Sequence, residues 1–217
     1  LNDLETAIGR FGVESQLLEP AEVRNQIRRY CLMLWERNQQ INLTRHTDWD
    51  TFVCRDLVDT LMLAGLIEPN AETLDLGTGG GVPGLLLAIL RRDLSVNLSE
   101  SVGKRARVLS KFAQELDAPV RIYHDRGENL LDQLRFDVVT ARAVGPLSRI
   151  CRWMTGRWKN LGRMLAIKGP QWELERAQAE EEGLLQGISL QVRTEYCTPG
   201  SDWKSVILDL SAKRAPR

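Results

Sequence analysis

Thr73-Leu74-Asp75-Leu76-Gly77-Thr78-Gly79-Gly80-Gly81-Val82-Pro83-Gly84-Leu85-Leu86-Leu87 runs from a short apolar strand through a glycine-rich turn into an apolar helix. Glycine takes positive φ easily and lets the backbone approach a ligand closely. Pro83 suits a first helical turn, where its missing N–H costs nothing. In an open α/β sheet, ligands bind beyond the carboxyl ends of the strands, so this turn is a candidate cofactor site. Two patterns overlap in it. Gly79-Gly80-Gly81-Val82-Pro83-Gly84 satisfies the GxGxxG of dinucleotide-binding proteins. Asp75-Leu76-Gly77-Thr78-Gly79-Gly80-Gly81 satisfies the acidic-x-G-x-G-x-G form of methyltransferases. A tight turn without a ligand is the plain alternative.

Asp75 discriminates between the two cofactors. A carboxylate at the strand end repels a pyrophosphate but can pair with a cationic amino-acid ligand. S-adenosylmethionine carries an ammonium and a sulfonium and no phosphate. Glu100, closing the next strand, can accept hydrogen bonds from ribose hydroxyls in either cofactor class, and Ser101 follows it.

Outward from the turn, strands and helices alternate. Strand patterns cover 73–76, 95–99, 120–123, 136–141 and 162–167. Helical patterns cover 85–92, 104–116, 147–158 and 172–182. The strands 190–196 and 205–210 have no helix between them and are expected to form an antiparallel hairpin at one end of the sheet. Upstream, 22–41 and 52–67 are amphipathic and helical. The expected fold is α/β: a doubly wound, Rossmann-like sheet with a terminal antiparallel hairpin and an N-terminal helical extension. Residues 1–68 form the extension and 69–217 the cofactor-binding domain, together one compact unit.

Composition is that of a globular chain, 217 residues with 43% hydrophobic and 27% charged. The longest apolar run, 85–90, is far too short to span a membrane, and the amino end lacks a signal pattern. The chain begins with Leu1, so an initiator Met is expected to precede it. Cys31, Cys54, Cys151 and Cys197 form no CxxC pair. They read as buried free thiols in a reducing cytoplasm, and no metal site is expected.

Net charge is zero, with 29 basic and 29 acidic residues, but the charges are segregated. Residues 138–172 and 101–114 contain no Asp or Glu. Arg142 and Lys168 end strands on the side of the glycine turn, and Lys104 and Arg105 begin a helix near the same rim. A basic rim beside a nucleoside-cofactor site suits a phosphate backbone. Surface pairing of these cations with nearby Glu is the alternative.

His46 and His124 are the only histidines, and no Ser-His-Asp or metal-ligand spacing involves them. A methyltransferase acting on a nitrogen with a free lone pair needs no general base. Guanine N7 is such an atom. Catalysis then consists of positioning and electrostatics.

These residues resemble the bacterial 16S ribosomal RNA guanine-N7 methyltransferase family, RsmG or GidB, in order along nearly the whole chain. Asn42-Leu43-Thr44 is similar to its NLT signature, and 55–60 to its RHxxDS segment. The glycine turn resembles D-x-G-(T/S)-G-x-G-x-P-G, including the uncommon P-G ending. Glu100-Ser101-Val102-Gly103-Lys104-Arg105 resembles (D/E)-S-x-x-K-R, and Arg126-Gly127-Glu128 resembles R-x-E. Ala141-Arg142-Ala143 and Lys168-Gly169 are similar to the (S/A)-R-A and K-G motifs. Asp56 stands where the family usually has His, Pro170 where a polar residue is common, and Arg45 and Cys54 flank matched motifs.

The resemblance implies ligand contacts at Gly77, Val82, Gly127, Glu128 and Arg142. With the residues read above, the expected cofactor set is Asp75, Gly77, Gly79, Gly81, Val82, Glu100, Ser101, Gly127, Glu128 and Arg142. The expected RNA set is Lys104, Arg105, Arg142 and Lys168. Arg142 acts by positioning and could hold cofactor, guanine or phosphate. The implied substrate is a guanosine of the 530 loop, presented by 16S RNA or the small ribosomal subunit. N7 lies in a groove too narrow to enter in A-form RNA, so the base comes from a loop or is flipped out. Two other functions fit parts of the chain. One is a nicotinamide-dependent oxidoreductase using GxGxxG. The other is a non-enzymatic RNA-binding or ribosome-assembly module.

Overall fold

The computed structural model describes residues 3–213; Leu1 lies outside them. Seven strands form one sheet in the order β3-β2-β1-β4-β5-β7-β6. The parallel strands are β1 (Glu72–Leu76), β2 (Ser95–Ser99), β3 (Val120–Tyr123), β4 (Phe136–Arg142) and β5 (Leu161–Lys168). The strands β6 (Ile188–Cys197) and β7 (Lys204–Ala212) form the antiparallel hairpin, and β7 rather than β6 pairs with β5. This is the doubly wound sheet with a terminal hairpin that the sequence predicts.

Alternation along the central strands gives each face its own core. On one face, Val96, Leu98, Val138 and Leu165 pack with the helices α5 (Gly84–Leu90) and α6 (Gly103–Glu115). The same cluster includes Leu4 of α1 (Leu4–Phe11) and Ile27, Tyr30 and Leu34 of α2 (Ala21–Asn38). The extension therefore shares one apolar core with the sheet. On the opposite face, Leu74, Leu76, Val139 and Ala166 meet α7 (Gly127–Leu130), α8 (Leu147–Met154) and α9 (Trp172–Glu181).

Three local features differ from the expected pattern. The helix predicted over 147–158 stops at Met154, because Gly156 takes φ 78° and turns the chain into a 3₁₀ segment, Trp158–Asn160. The short α7 follows β3, where Asp125 accepts from the Arg126 N–H and the Asn129 amide. The region 52–67, entered from α3 (Trp49–Thr51), is a composite of a π-helical segment (Phe52–Leu57) and α4 (Val58–Ala64). Cys31, Cys54 and Cys151 are buried free thiols, whereas Cys197 is exposed. Among the described residues, no helix is long and apolar enough to cross a membrane.

Candidate active site

The site begins with the register of β1 between its two neighbours. Asp75 pairs with Leu98 on one side and Thr140 on the other. That neighbour relation lets the Thr140 hydroxyl donate to Asp75 Oδ1 at 2.7 Å. Asp75 Oδ2 accepts the Gly84 N–H at 3.0 Å. The carboxylate is only 2% exposed and ties the far end of the glycine turn back to its own strand. Gly84 must be glycine here: an added Cβ would lie 2.3 Å from Leu98 and 2.8 Å from Asp75 Cβ. Burial pushes the Asp75 carboxyl up to about 6, against the hydrogen bonds from Thr140 and Gly84. The pairing with a cationic ligand expected from sequence therefore finds each oxygen already bonded within the fold.

The ends of β1 and β2 are stitched together. Ser99 Oγ accepts the Gly77 N–H at 3.2 Å, and the Ser99 carbonyl accepts the Thr78 N–H at 3.0 Å. Glu100 is 4% exposed and accepts from the Gly79 N–H at 3.1 Å and the Val102 N–H at 2.7 Å. An ionised carboxylate has about four acceptor positions, so Glu100 can hold the turn and still accept from a ribose. Gly127 packs against Leu76 and Ser99, which brings α7 and Glu128 to the same corner; Ser101 is exposed beside it. From below, the buried Tyr30 hydroxyl donates to the Gly80 carbonyl at 2.8 Å. The extension thus supports the turn directly.

A groove of about 1070 Å³ opens above these elements. Gly77, Gly79, Val82, Arg105, Arg142 and Lys168 line it, together with Asn42 to His46 of the extension and Trp203 of the hairpin. That volume is at the upper end for one small ligand and leaves room for a cofactor and a base. At Gly79, with φ 58°, an added Cβ would meet nothing nearer than 3.9 Å, so the backbone is open to a ligand. These residues fit a nucleoside cofactor with an amino-acid tail.

Arg142 is half-buried between two carboxylates. Its Nη2 donates to Asp56 Oδ1 and its Nε to Asp59 Oδ2, both at 2.7 Å. Burial works against the charge, but Asp56 and Asp59 more than offset it and hold the guanidinium above its usual range. His46 Nδ1 lies 2.8 Å from Asp56 Oδ1, and the Tyr196 hydroxyl donates to Asp59 Oδ1 at 2.6 Å. Sequence reasoning missed Asp59, His46 and Tyr196 as a group, and noted Asp56 only as a departure. No spacing rule joins residues this far apart in the chain.

The four expected RNA-binding cations separate. Lys104 is exposed, and Arg105 sits at the groove mouth with its Nε on the Asn42 carbonyl at 3.1 Å. Lys168 instead is buried, with its ammonium 2.5 Å from Glu175 and 2.6 Å from the Gly145 carbonyl. Arg142 and Lys168 are thus both committed to carboxylates inside the fold.

The profile of the family described as rRNA small subunit methyltransferase G matches residues 23–199. A protein of that name from Rhodopirellula baltica is 50% identical over 194 residues, covering 89% of this chain and 82% of that protein. The chain belongs to the rRNA small subunit methyltransferase G family. A more distant member, from Solibacter usitatus, is 32% identical over 183 residues, covering 84% of this chain and 87% of its own. Solved structures agree on the fold. An MtNAS mutant in complex with S-adenosylmethionine superposes with TM-score 0.57 at 17% identity, covering 97% of this chain and 84% of that one. A precorrin-6y C5,15-methyltransferase from Geobacter metallireducens gives TM-score 0.54 at 13% identity, covering 82% and 96%. Within the groove, Arg142 at the end of β4 stands between the glycine turn and the hairpin.

Proposed function

We propose that this chain transfers a methyl group from S-adenosylmethionine to N7 of a guanosine in small-subunit ribosomal RNA, in the 530 loop that the family resemblance implies. The observation that carries this reading is the continuous groove from the glycine turn past Arg142 to the hairpin, in a chain of this family. The turn backbone at Gly77, Gly79, Gly81 and Val82 would hold the cofactor, with Glu100, Ser101, Gly127 and Glu128 around its nucleoside. Asp75 would keep the turn in shape from inside. When bound, S-adenosylmethionine supplies an electrophilic sulfonium methyl.

The chain's residues orient the acceptor. Guanine N7 presents a lone pair and no proton, so no side chain has to remove one. The purine gains positive charge as it is methylated, and an unbalanced cation against the ring would oppose that. Arg142 is balanced by Asp56 and Asp59, and among the described residues its Nη1 has no hydrogen-bond partner. That N–H can donate to an acceptor such as guanine O6 without adding net positive charge at the ring. Ribosomal RNA as substrate puts this work in the cytoplasm.

The test is to incubate the purified protein and S-adenosylmethionine with unmodified 16S RNA and with small subunits, then map N7-methylguanosine by chemical cleavage. One new site in the 530 loop is expected. No methylation of either substrate, or methylation elsewhere, overturns the assignment. The single-turnover rate should be nearly flat between about pH 6 and 8, where imidazoles in general change charge. A tenfold rise per pH unit that disappears in His46→Ala or His124→Ala would show that a base is required.

A further inference from the structure

We propose that Trp203, with Arg55 beside it, forms a stacking platform for a nucleobase adjacent to the target guanine. The proposal rests on the RNA-methyltransferase reading and adds a substrate subsite to it. Among the described residues, Trp203 is the one aromatic side chain in the set of exposed large hydrophobics, at 47% exposure. It also lines the groove. An isolated exposed apolar side chain needs no explanation, but this one is held in place at a functional edge. The Trp203 carbonyl accepts the Thr198 N–H at 2.8 Å, and its own N–H donates to Ser201 Oγ at 3.2 Å. The indole rests near Gly169, where an added Cβ would lie 3.5 Å from the ring.

Position and charge point to RNA as the occupant. Trp203 immediately precedes β7, and Val206 of β7 pairs with Lys168 at the carboxyl end of β5. The ring therefore stands at the carboxyl edge of the sheet, against Gly169 just past the end of β5, the strand next to the β4 that carries Arg142. The glycine turn lies on the other side of β4. A target base at Arg142 would thus have the cofactor on one side and the indole on the other. The Arg55 guanidinium centre is 5.3 Å from the indole centroid, and its Nε is buried without a hydrogen-bond partner. Arg45, exposed at the same mouth, and Arg105 add positive charge. An aromatic ring paired with cations is the arrangement that binds unstacked bases and their phosphates.

The test compares Trp203→Ala and Trp203→Phe with the wild type, using an RNA fragment that spans the methylated guanosine. Trp203→Ala should weaken RNA affinity by about five- to a hundredfold, and Trp203→Phe should stay within about threefold of wild type, because it keeps a π-face. Calorimetric affinity for S-adenosylmethionine should be unchanged in both, which separates the platform from a collapse of the fold. An abasic nucleotide next to the target should weaken the wild type equally and add no further loss in Trp203→Ala. Normal RNA affinity and methylation in Trp203→Ala would overturn the platform alone. So would a loss confined to intact subunits, which would assign Trp203 to a ribosomal protein. Failure of the wild type to methylate RNA would overturn the underlying reading, and the platform with it.

Discussion

Gly79 and Asp75 sit four residues apart and answer to different forces. At Gly79 the space beyond the backbone is open, and the fold asks of the residue a φ of 58° and an N–H for Glu100. Gly79→Ala should therefore cost about 1–2 kcal/mol of stability through the left-handed backbone and weaken cofactor binding by more than that. Thermal melting and calorimetry with S-adenosylmethionine would show the two effects separately. Unchanged cofactor affinity would remove this backbone from the site. Gly77 is a poorer probe, since a Cβ there would press on Val144 at 3.1 Å. Asp75 has a folded value of about 6 against 3.8 for the free side chain. The folded state then binds more protons than the unfolded state between those values. The carboxyl group's contribution is present at about pH 4 and is lost as pH rises through 6. The stability of the wild type relative to Asp75→Asn should fall on the order of 3 kcal/mol over that interval. Urea denaturation at several pH values measures this, and a flat difference would refute it. The sequence marked both carboxylates at the strand ends, Asp75 and Glu100. It could not show which N–H groups turn toward them, because those bonds depend on how the turn closes on itself.

The π-helical segment Phe52–Leu57 shows what a pattern of apolar residues conceals. Periodicity makes 52–67 helical, and the buried Phe52, Leu57 and Leu63 agree. The widened turn, closed by the Val58 N–H on the Val53 carbonyl, leaves that pattern legible and so cannot be read from it. Asp56 lies within the segment and Asp59 just after it, and both reach Arg142 at the end of β4. Such segments are frequent at functional sites. Asp59→Ala removes one of two carboxylates from an Arg whose side chain is 15% exposed, and should cost on the order of 3 kcal/mol. It also frees Arg142 to move, and misplacement by about 1 Å can lower a rate on the order of a hundredfold. The expected result is a lower urea midpoint and a slow single turnover with cofactor affinity retained. Wild-type turnover would show that Arg142 does not orient the acceptor. The parallel strands and the helices alternating with them were legible. The insertion of β7 between β5 and β6 was not, because two adjacent strands with no helix define a hairpin but not which arm meets the sheet.

Across the whole molecule, zero net charge is the sum of acid-free segments and acids clustered elsewhere in the chain, but folding brings Asp56, Asp59 and Glu175 into the groove, and pairing and burial decide which cations remain available. Arg105 lines the groove and its neighbour Lys104 is exposed, whereas Lys168 is 7% exposed and paired with Glu175. Replacing Lys104 and Arg105 by Gln should reduce the slope of log K for RNA against log salt by about 0.7 to 0.9 for each lost phosphate contact. Lys168→Gln should leave that slope unchanged and lower stability instead, since it removes a buried ammonium paired with Glu175 and leaves that carboxylate, among the described residues, only the Leu147 N–H. Filter binding over a salt series, with parallel denaturation curves, separates the two. An unchanged slope in the Lys104 and Arg105 variant would exclude them from the interface.

The strand order has a consequence for biosynthesis. Since β6 joins the sheet only through β7, a nascent chain that has emerged only as far as β6 has no neighbour for it, and β5 has an open edge. Unpaired edges of this kind invite association with other chains. The Tyr196 bond to Asp59 and the placement of Trp203 also depend on that late closure. A stop codon anywhere ahead of Lys204 would therefore remove two strands' worth of pairing at once. Its product should be cleared or aggregate rather than persist as a weakened enzyme.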